Sequence, residues 1–135
     1  MNRWAARHLD RLQVGLDEGE EVRAADRLVL SKARARTALG HADAAGFPVP
    51  GTIFVLGVSN ERLLFWKASK GFARPLELAG GLPLDEVAAV RVVTRLWLTR
   101  IAVLLEAGPL LVAKPLWGRG SREVAAAFTE ARSTH

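Results

Sequence analysis

The sequence predicts an α+β fold that is mainly β, in which about seven short antiparallel strands form a meander with a helix at each end. Short β-branched and aromatic segments recur roughly every 8 to 12 residues and are separated by glycine, proline or asparagine. The segment 51–67, GTIFVLGVSNERLLFWK, has two apolar arms around Ser59-Asn60-Glu61 and predicts a β-hairpin. Apolar residues spaced by three and four mark helices at the two ends. A meander of this kind rolls into a barrel or two packed sheets.

Residues 1–16 are predicted to form an amphipathic N-terminal helix. Ala5, Leu9, Leu12 and Leu16 fall on one stripe of that helix, and arginines occupy the opposite stripe. The glycines of LDEGEE then end the helix, so residues 20–30 become the first strand. Residues 31–50 read as a connection, in which KARART fits either an edge strand or the start of a short helix.

The remaining strands are predicted at 74–78, 84–94, 98–106 and 110–114, with AGGLP and Ala107-Gly108-Pro109 as breaks. A closing helix at 121–133 has Ser121 as its N-cap and Val124 and Phe128 on its apolar stripe. Such a helix is a suitable plug for the open end of a barrel.

Composition limits the classes of protein to which the chain can belong. Its 135 residues fit a single domain, 1–135, with a barrel at 20–116. The absence of cysteine excludes disulfides, thiolate metal sites and a cysteine nucleophile. No secretory signal and no transmembrane segment is present in the sequence, which predicts a protein that is cytoplasmic or peripheral to the membrane. The net charge of +5 favours anionic partners.

Several motifs, taken in order, carry a resemblance to a known family. They are LDEGEEV at 16–22, GVSNERLLFWK at 57–67, PLDEVAAVRVV at 83–93, LLEAGPLLV at 104–112 and the closing helix. Together they resemble the bacterial pleckstrin-homology-like domains, in the superfamily that also contains GRAM domains. The resemblance implies a strongly bent barrel of seven strands capped by the C-terminal helix. It also implies a binding module, whose eukaryotic relatives bind phosphoinositides with cations around the first hairpin loop.

No pattern in the sequence predicts catalysis. The three histidines lie far apart and lack metal-ligand spacing, and no nucleophile elbow or phosphate loop is present. The acidic pairs, including Glu20-Glu21, fall at predicted turns, where solvated carboxylates are typical. We therefore expect no enzyme, no metal and no cofactor.

The second arm of the hairpin supplies the main functional prediction. Leu64 and Trp66 lie opposite Leu63 and Phe65, so both faces of this strand are apolar and its outer face needs a cover. Phe54 is predicted to share the face of Leu64 and Trp66. The N-terminal helix, a second copy of the chain, and a partner or membrane surface are the alternatives for the cover. The leading hypothesis is protein association, including self-association, with an interface of Leu64, Trp66 and Trp4.

The alternative is recognition of an anionic lipid or membrane surface. Lys32, Arg34 and Arg36 share one face if their segment is extended. The basic N-terminal helix would add to this surface. The basic residues around the second hairpin and on the later strands are predicted to lie on a solvated barrel exterior; they are Arg62, Lys67, Lys70, Arg74, Arg91 and Arg95. Nucleic acid is not an expected partner, and a small-molecule carrier ranks last.

Overall fold

The computed structural model describes residues 1–33, 50–71, 73–106, 108–116 and 120–134. Seven strands, three α-helices and one 3-10 turn are present in these ranges. The helices are α1 (Arg3–Arg7), α2 (Leu9–Gln13) and α3 (Gly120–Ser133), and the 3-10 turn is Leu84–Glu86. The strands are β1 (Val22–Ala33), β2 (Ile53–Ser59), β3 (Arg62–Ala68), β4 (Pro75–Pro83), β5 (Ala89–Arg95), β6 (Leu98–Leu105) and β7 (Gly108–Pro115).

The strands form one antiparallel sheet in the order β4-β3-β2-β1-β7-β6-β5. The long β1 is the centre, because it pairs with both β2 and β7. Its register shifts between Val22 and Ala24 and again between Leu30 and Lys32. Such irregularities bend a strand and increase its twist. The sheet therefore curls around one core without joining its β4 and β5 edges, which gives an open, bent barrel.

Helix α3 packs across this barrel, as the sequence predicts. It contacts β1, β2 and β5, and its buried residues include Val124, Phe128 and Ala131. These side chains join the main hydrophobic core, to which Leu28, Leu56 and other inward-facing strand residues contribute. The spacing of the three helix residues is the i, i+4, i+7 stripe that places them on one face.

The hairpin is confirmed, and its register corrects one side-chain assignment. Leu56 pairs with Phe65 and Val55 with Trp66, so even-numbered residues of β2 share a face with odd-numbered residues of β3. Phe54 accordingly lies in the main core with Phe65, and not on the face of Trp66. The prediction for Phe54 was wrong because a turn that moves the register by one residue exchanges the two faces.

The N-terminal helix differs from its prediction. Instead of one helix over 1–16, two five-residue helices are separated at His8. Asn2 caps α1 by accepting a hydrogen bond from the Ala5 N–H at 2.7 Å. The backbone N–H of His8 bonds the Trp4 carbonyl, and the His8 ring nitrogen Nδ1 lies 2.9 Å from the same oxygen. On the two sides of the break, α1 contacts β1, and α2 contacts β1 and β4.

Strand β4 also extends beyond its prediction, through the two glycines that read as a break. A Cβ at Gly81 would lie 3.1 Å from the Leu63 carbonyl oxygen, so glycine allows the close approach of β4 to β3. The predicted strand start at residue 84 is instead the 3-10 turn that connects β4 to β5.

Candidate functional site

The residues predicted to bind a partner are buried inside the chain. Leu64 is 0% exposed, Trp66 is 1% exposed and Trp4 is 9% exposed. They belong to a second hydrophobic cluster on the outer face of the sheet, which α1 and α2 cover with Ala5 and Leu12. The structure therefore corrects the prediction of a partner interface here: of the three alternatives, the N-terminal helices are the cover.

Close packing characterises this second cluster. A Cβ at Gly57 would lie 2.6 Å from the Trp66 ring, so the indole sits directly on the backbone of β2. The Arg27 guanidinium carbon lies 4.9 Å from the centre of the Trp4 ring, within the range of a cation–π contact. The indole N–H groups of Trp4 and Trp66 are buried without a hydrogen-bond partner in the described part of the chain. The cluster is thus held by apolar contact and shape.

Polar bonds fix the N-terminal segment to the sheet. The Asn2 side chain donates to the Ala25 carbonyl at 3.0 Å, and the Gln13 side chain accepts from Val22 N–H at 2.7 Å and donates to the Glu20 carbonyl at 3.1 Å. The terminal amino group lies 3.8 Å from a Glu123 carboxylate oxygen of α3. The N-terminal segment is therefore hydrogen-bonded to β1 and to the residues just before it, and its amino group is paired with α3.

Glu20 is the centre of a buried ionic network, which corrects its prediction as a solvated carboxylate. Arg62 donates to both of its oxygens, at 2.7 and 3.0 Å, and the Ser59 hydroxyl donates at 2.6 Å. Burial alone would raise the pKa of Glu20, but the hydrogen bonds from Arg62, Ser59 and the Asp17 N–H lower it to about 2. Arg62, predicted to be solvated, is committed to this structural pair.

The carboxylates of Asp17, Glu20 and Glu61 come within 4.8 Å of one another. Sequence reasoning did not bring these residues together, because Glu61 is far along the chain and arrives through the β2–β3 turn. The Arg62 guanidinium already neutralises Glu20. The three carboxylates therefore belong to the ionic network that connects the β2–β3 turn to the start of β1.

A second buried carboxylate, Asp26, was also missed. It is 1% exposed, and the Ser121 hydroxyl donates to it at 3.0 Å. Burial raises the pKa of Asp26, against the opposing effect of bonds from the Arg27 N–H and Ser121. A Cβ at Gly120 would lie 2.7 Å from the Asp26 carboxyl carbon. Because α3 begins at Gly120, Ser121 lies inside its first turn and not at the N-cap position that the sequence predicts, and its hydroxyl bonds α3 to β1.

The predicted anion site is described only in part. Lys32 lies near the end of β1, where its backbone is paired with Val112. Arg34 and Arg36 fall outside the described residues, so the prediction that the three act together stays a prediction.

A different surface is exposed and apolar. At the turn between β5 and β6, Leu96 is 84% exposed and Trp97 83% exposed, and the neighbouring Val93 and Leu98 are each about half exposed. These four residues form the apolar part of what we call the β5–β6 tip. The signal in the sequence was LWL at a two-residue turn, where polar residues or glycine are usual.

The backbone at this turn is unfavourable for its residues. Arg95 pairs with Leu98, so Leu96 and Trp97 are the two central residues of the hairpin turn. Leu96 has a φ of 57°, in the left-handed region, which costs a branched residue roughly 1–2 kcal/mol. Glycine is favoured at this first position of such a turn. An exposed leucine that also strains the backbone indicates a role other than stability.

Basic residues surround the apolar part of the tip. Arg91, Arg95 and Arg100 share the outer face of the β5–β6 ladder, and Lys114 of β7 is cross-strand to Arg100 by the register of these strands. All four are exposed, and none is in an ion pair within the described residues. Strands β5, β6 and β7 contain no acidic residue. The tip, with these four cations included, is therefore apolar at its end and positively charged behind it.

No protein-family model and no curated protein matches the sequence. Among solved structures, the chain is similar to a DUF1696 family protein with a pleckstrin-homology domain from Shewanella loihica, at 14% identity and a TM-score of 0.49, covering 90% of this chain and 96% of that one. A pleckstrin homology domain from Shewanella amazonensis is similar at 15% identity and a TM-score of 0.44, covering 97% and 95%. The hSac2 domain of the human phosphoinositide phosphatase Sac2 is similar at 8% identity and a TM-score of 0.48, covering 96% and 75%.

The strand order, the open bent barrel and the packed C-terminal helix form the architecture that the resemblance to pleckstrin-homology-like domains implies. The expectation drawn from the sequence motifs is thus confirmed for the fold. None of the helices in the described ranges has the length and apolar character needed to cross a membrane.

Proposed function

We propose that this chain is a non-catalytic, cytoplasmic binding module that attaches to an anionic membrane surface through the β5–β6 tip. The observation that supports the proposal most directly is the pair Leu96 and Trp97, which are more than four-fifths exposed on a strained turn. The strain of the turn and the exposure of its bulky apolar side chains to water both lower the stability of the protein. Burial of these side chains in a lipid interface would offset the cost of their exposure.

The shape and charge of the tip suit a membrane. A two-residue turn is convex, so it can insert between headgroups without a matching pocket, and tryptophan favours the interface between water and hydrocarbon. Arg95, Arg100 and Lys114 stand behind the apolar end, where they would meet anionic headgroups. Each such cation contributes about 1 kcal/mol near a negatively charged leaflet.

The leading hypothesis from the sequence is association through the outer face of the hairpin, but this face is not exposed. Leu64, Trp66 and Trp4 are covered by α1 and α2, and only displacement of those helices would present them to a partner. The alternative, a basic surface for anionic lipid, is retained at a different place on the fold.

The double variant L96G/W97S tests the proposal. Glycine relieves the left-handed strain and serine removes the exposed indole, so we expect a thermal midpoint equal to or above that of the wild type. Co-sedimentation with phosphatidylcholine vesicles that contain phosphatidylserine should weaken at least tenfold. Wild-type binding should fall with added salt, because the headgroup attraction is screened.

Val14 offers a matched control, since it is another strongly exposed apolar residue, at the C-cap of α2. V14S should bind these vesicles as the wild type does. Wild-type binding that is absent at low salt, or that is retained in full by L96G/W97S, would exclude attachment by the tip. Equal binding to pure phosphatidylcholine vesicles would contradict the role of the anionic charge.

A further inference from the structure

A pair of threonines lies directly behind the apolar end of the β5–β6 tip. Thr94 is the next-to-last residue of β5, and its cross-strand partner is Thr99 of β6. Their hydroxyl oxygens lie 3.2 Å apart in an exposed hydrogen bond, in which either hydroxyl can be the donor. Thr94 itself is exposed, so its hydroxyl can be reached from solvent.

Exposed cations stand on both sides of Thr94 in the chain. Arg91 lies three residues before it and Arg95 one residue after it, and both are exposed. Because strand side chains alternate between the two faces, Thr94 lies on the face opposite these arginines. Their side chains therefore do not cover the hydroxyl, although their charges are close to it. Protein kinases select substrates partly by charge patterns of this kind.

The end of the β5–β6 hairpin is also suited to local opening. β5 is at the edge of the sheet, where β6 is its strand neighbour among the described residues. The turn that follows contains Leu96 with its left-handed φ of 57°. Segments with few buried contacts open at a small cost in free energy. An enzyme that binds its substrate as an extended segment would thus gain access to Thr94 without unfolding the domain.

We propose that Thr94 is a phosphorylation site that releases the β5–β6 tip from an anionic membrane, an inference that rests on the proposed function. In the transfer, Thr94 Oγ1 bonds to the γ-phosphorus of a nucleoside triphosphate held by a protein kinase. The bond from that phosphorus to the β–γ bridging oxygen breaks, the nucleoside diphosphate leaves, and the hydroxyl proton passes to a base of the kinase. Hydrolysis by a phosphatase restores the hydroxyl.

A phosphate at Thr94 opposes attachment of the tip in two ways. It carries a charge of about −1.5 to −2 at neutral pH, on strands β5 to β7 that contain no acidic residue, and so cancels about two of the four cations of the tip. It also lies two residues from Leu96, which is at most about 7 Å along the chain. Insertion of Leu96 would therefore bring a dianion towards hydrocarbon, which is unfavourable.

The test begins with the folded full-length chain, magnesium, adenosine triphosphate and the catalytic domain of a kinase that prefers basic substrates. Mass spectrometry should locate phosphate on Thr94, and Thr94→Val should abolish this signal. The unmodified and phosphorylated proteins are then compared by co-sedimentation with vesicles of phosphatidylcholine and phosphatidylserine at low salt. We expect phosphorylation to weaken binding at least about tenfold and phosphatase treatment to restore it. Thr94→Val should bind as the unmodified wild type does.

Thr94→Glu and Thr52→Glu form a matched pair that adds the same charge at two places. Thr52 is exposed just before β2, which β1, β7 and β6 separate from β5 in the sheet. Thr94→Glu should weaken vesicle binding severalfold, whereas Thr52→Glu should bind as the wild type does. Circular dichroism checks that both variants are folded, and the phosphorylated wild type supplies the comparison if Thr94→Glu is not.

The outcomes separate this inference from the proposed function. Unmodified protein that does not bind the vesicles would contradict the proposed function and, with it, the inference. Unmodified protein that binds, together with phosphorylated protein that binds equally well, would overturn the inference alone. The same holds if no phosphate is found on Thr94, or if Thr94→Glu and Thr52→Glu, both folded, weaken binding equally.

Discussion

At the scale of single residues, glycine and tryptophan determine the outer face of the hairpin together. Trp66 occupies the surface above Gly57, and Gly57 has no side chain that would displace it. A β-hairpin tolerates glycine in a strand interior poorly unless something approaches the backbone closely. The sequence GVSNERLLFWK therefore contains a matched pair, in which the small residue on one strand makes room for the large one on the other.

The variant Gly57→Ala tests this pairing. Its Cβ would lie 2.6 Å from the Trp66 ring and 2.9 Å from the Ala24 carbonyl oxygen, so the indole or the strand must shift. We expect a loss of roughly 1–3 kcal/mol in the free energy of unfolding, measured by urea denaturation. Gly80→Ala is the matched control, because a Cβ there meets no atom within 4 Å. Equal stability of the two variants would contradict the close packing.

At the scale of elements, α1 and α2 depend on the sheet beneath them. Each has five residues, and helices of this length are unstable alone in water. Their contribution is to bury the apolar outer face of β2 and β3 through Ala5 and Leu12. The sheet in return needs them, because an uncovered face with Leu64 and Trp66 would be a large apolar patch.

Neighbouring alanines of α1 provide a direct test of this cover. Ala5 is fully buried and Ala6 is exposed. Ala5→Glu places a carboxylate in the second cluster, so we expect undocking of the helices, with increased binding of a hydrophobic dye and a lower thermal midpoint. Ala6→Glu should leave both measurements unchanged. Dye binding that stays at the wild-type level in Ala5→Glu would show that the helices do not cover the face.

At the scale of the whole molecule, two buried carboxylates join parts that are distant in the chain. Glu20 connects the start of β1 to the β2–β3 turn through Arg62 and Ser59, and Asp26 connects β1 to α3 through Ser121. Since β1 is also the central strand, it binds both halves of the sheet, the C-terminal helix and the N-terminal segment. We expect disruption of β1 to unfold the whole domain as a unit.

Stability should depend on pH through Glu20. The pKa of Glu20 is about 2 in the folded protein, below the ordinary value of 4.5 that it has in an unfolded chain, so folding favours the ionised form. The resulting contribution of about 3 kcal/mol is present above pH 4.5 and is lost as the pH falls towards 2. Urea denaturation from pH 7 to pH 2.5 should show this decrease.

Glu20→Gln should be less stable at pH 7 and should lose less stability on acidification. Glu21→Gln is the control, since Glu21 is exposed beside Glu20. If Glu20→Gln follows the wild-type pH profile, the ionic network does not carry the acid dependence.

Much of the fold follows from patterns that are local in the sequence. The two arms of the 51–67 hairpin and the stripe of Val124 and Phe128 predicted β2, β3 and α3, because period two and period 3.6 are properties of neighbouring residues. The break at His8 and the extension of β4 through Gly80 and Gly81 were not predictable in this way. The extension of β4 depends on how closely it approaches β3, and no periodic pattern of neighbouring residues marks the break at His8.

The sequence by itself determined the order of strands and helices and the fact that both faces of β3 are apolar. Only the tertiary structure decided what covers the outer face, because burial depends on which distant segment docks there. The N-terminal helices cover Leu64 and Trp66. It also decided which apolar residues remain free. Trp66 and Trp97 are alike in the sequence, yet one is buried under a helix and the other stands at the end of a turn, because exposure is a property of the folded neighbours and not of the residue.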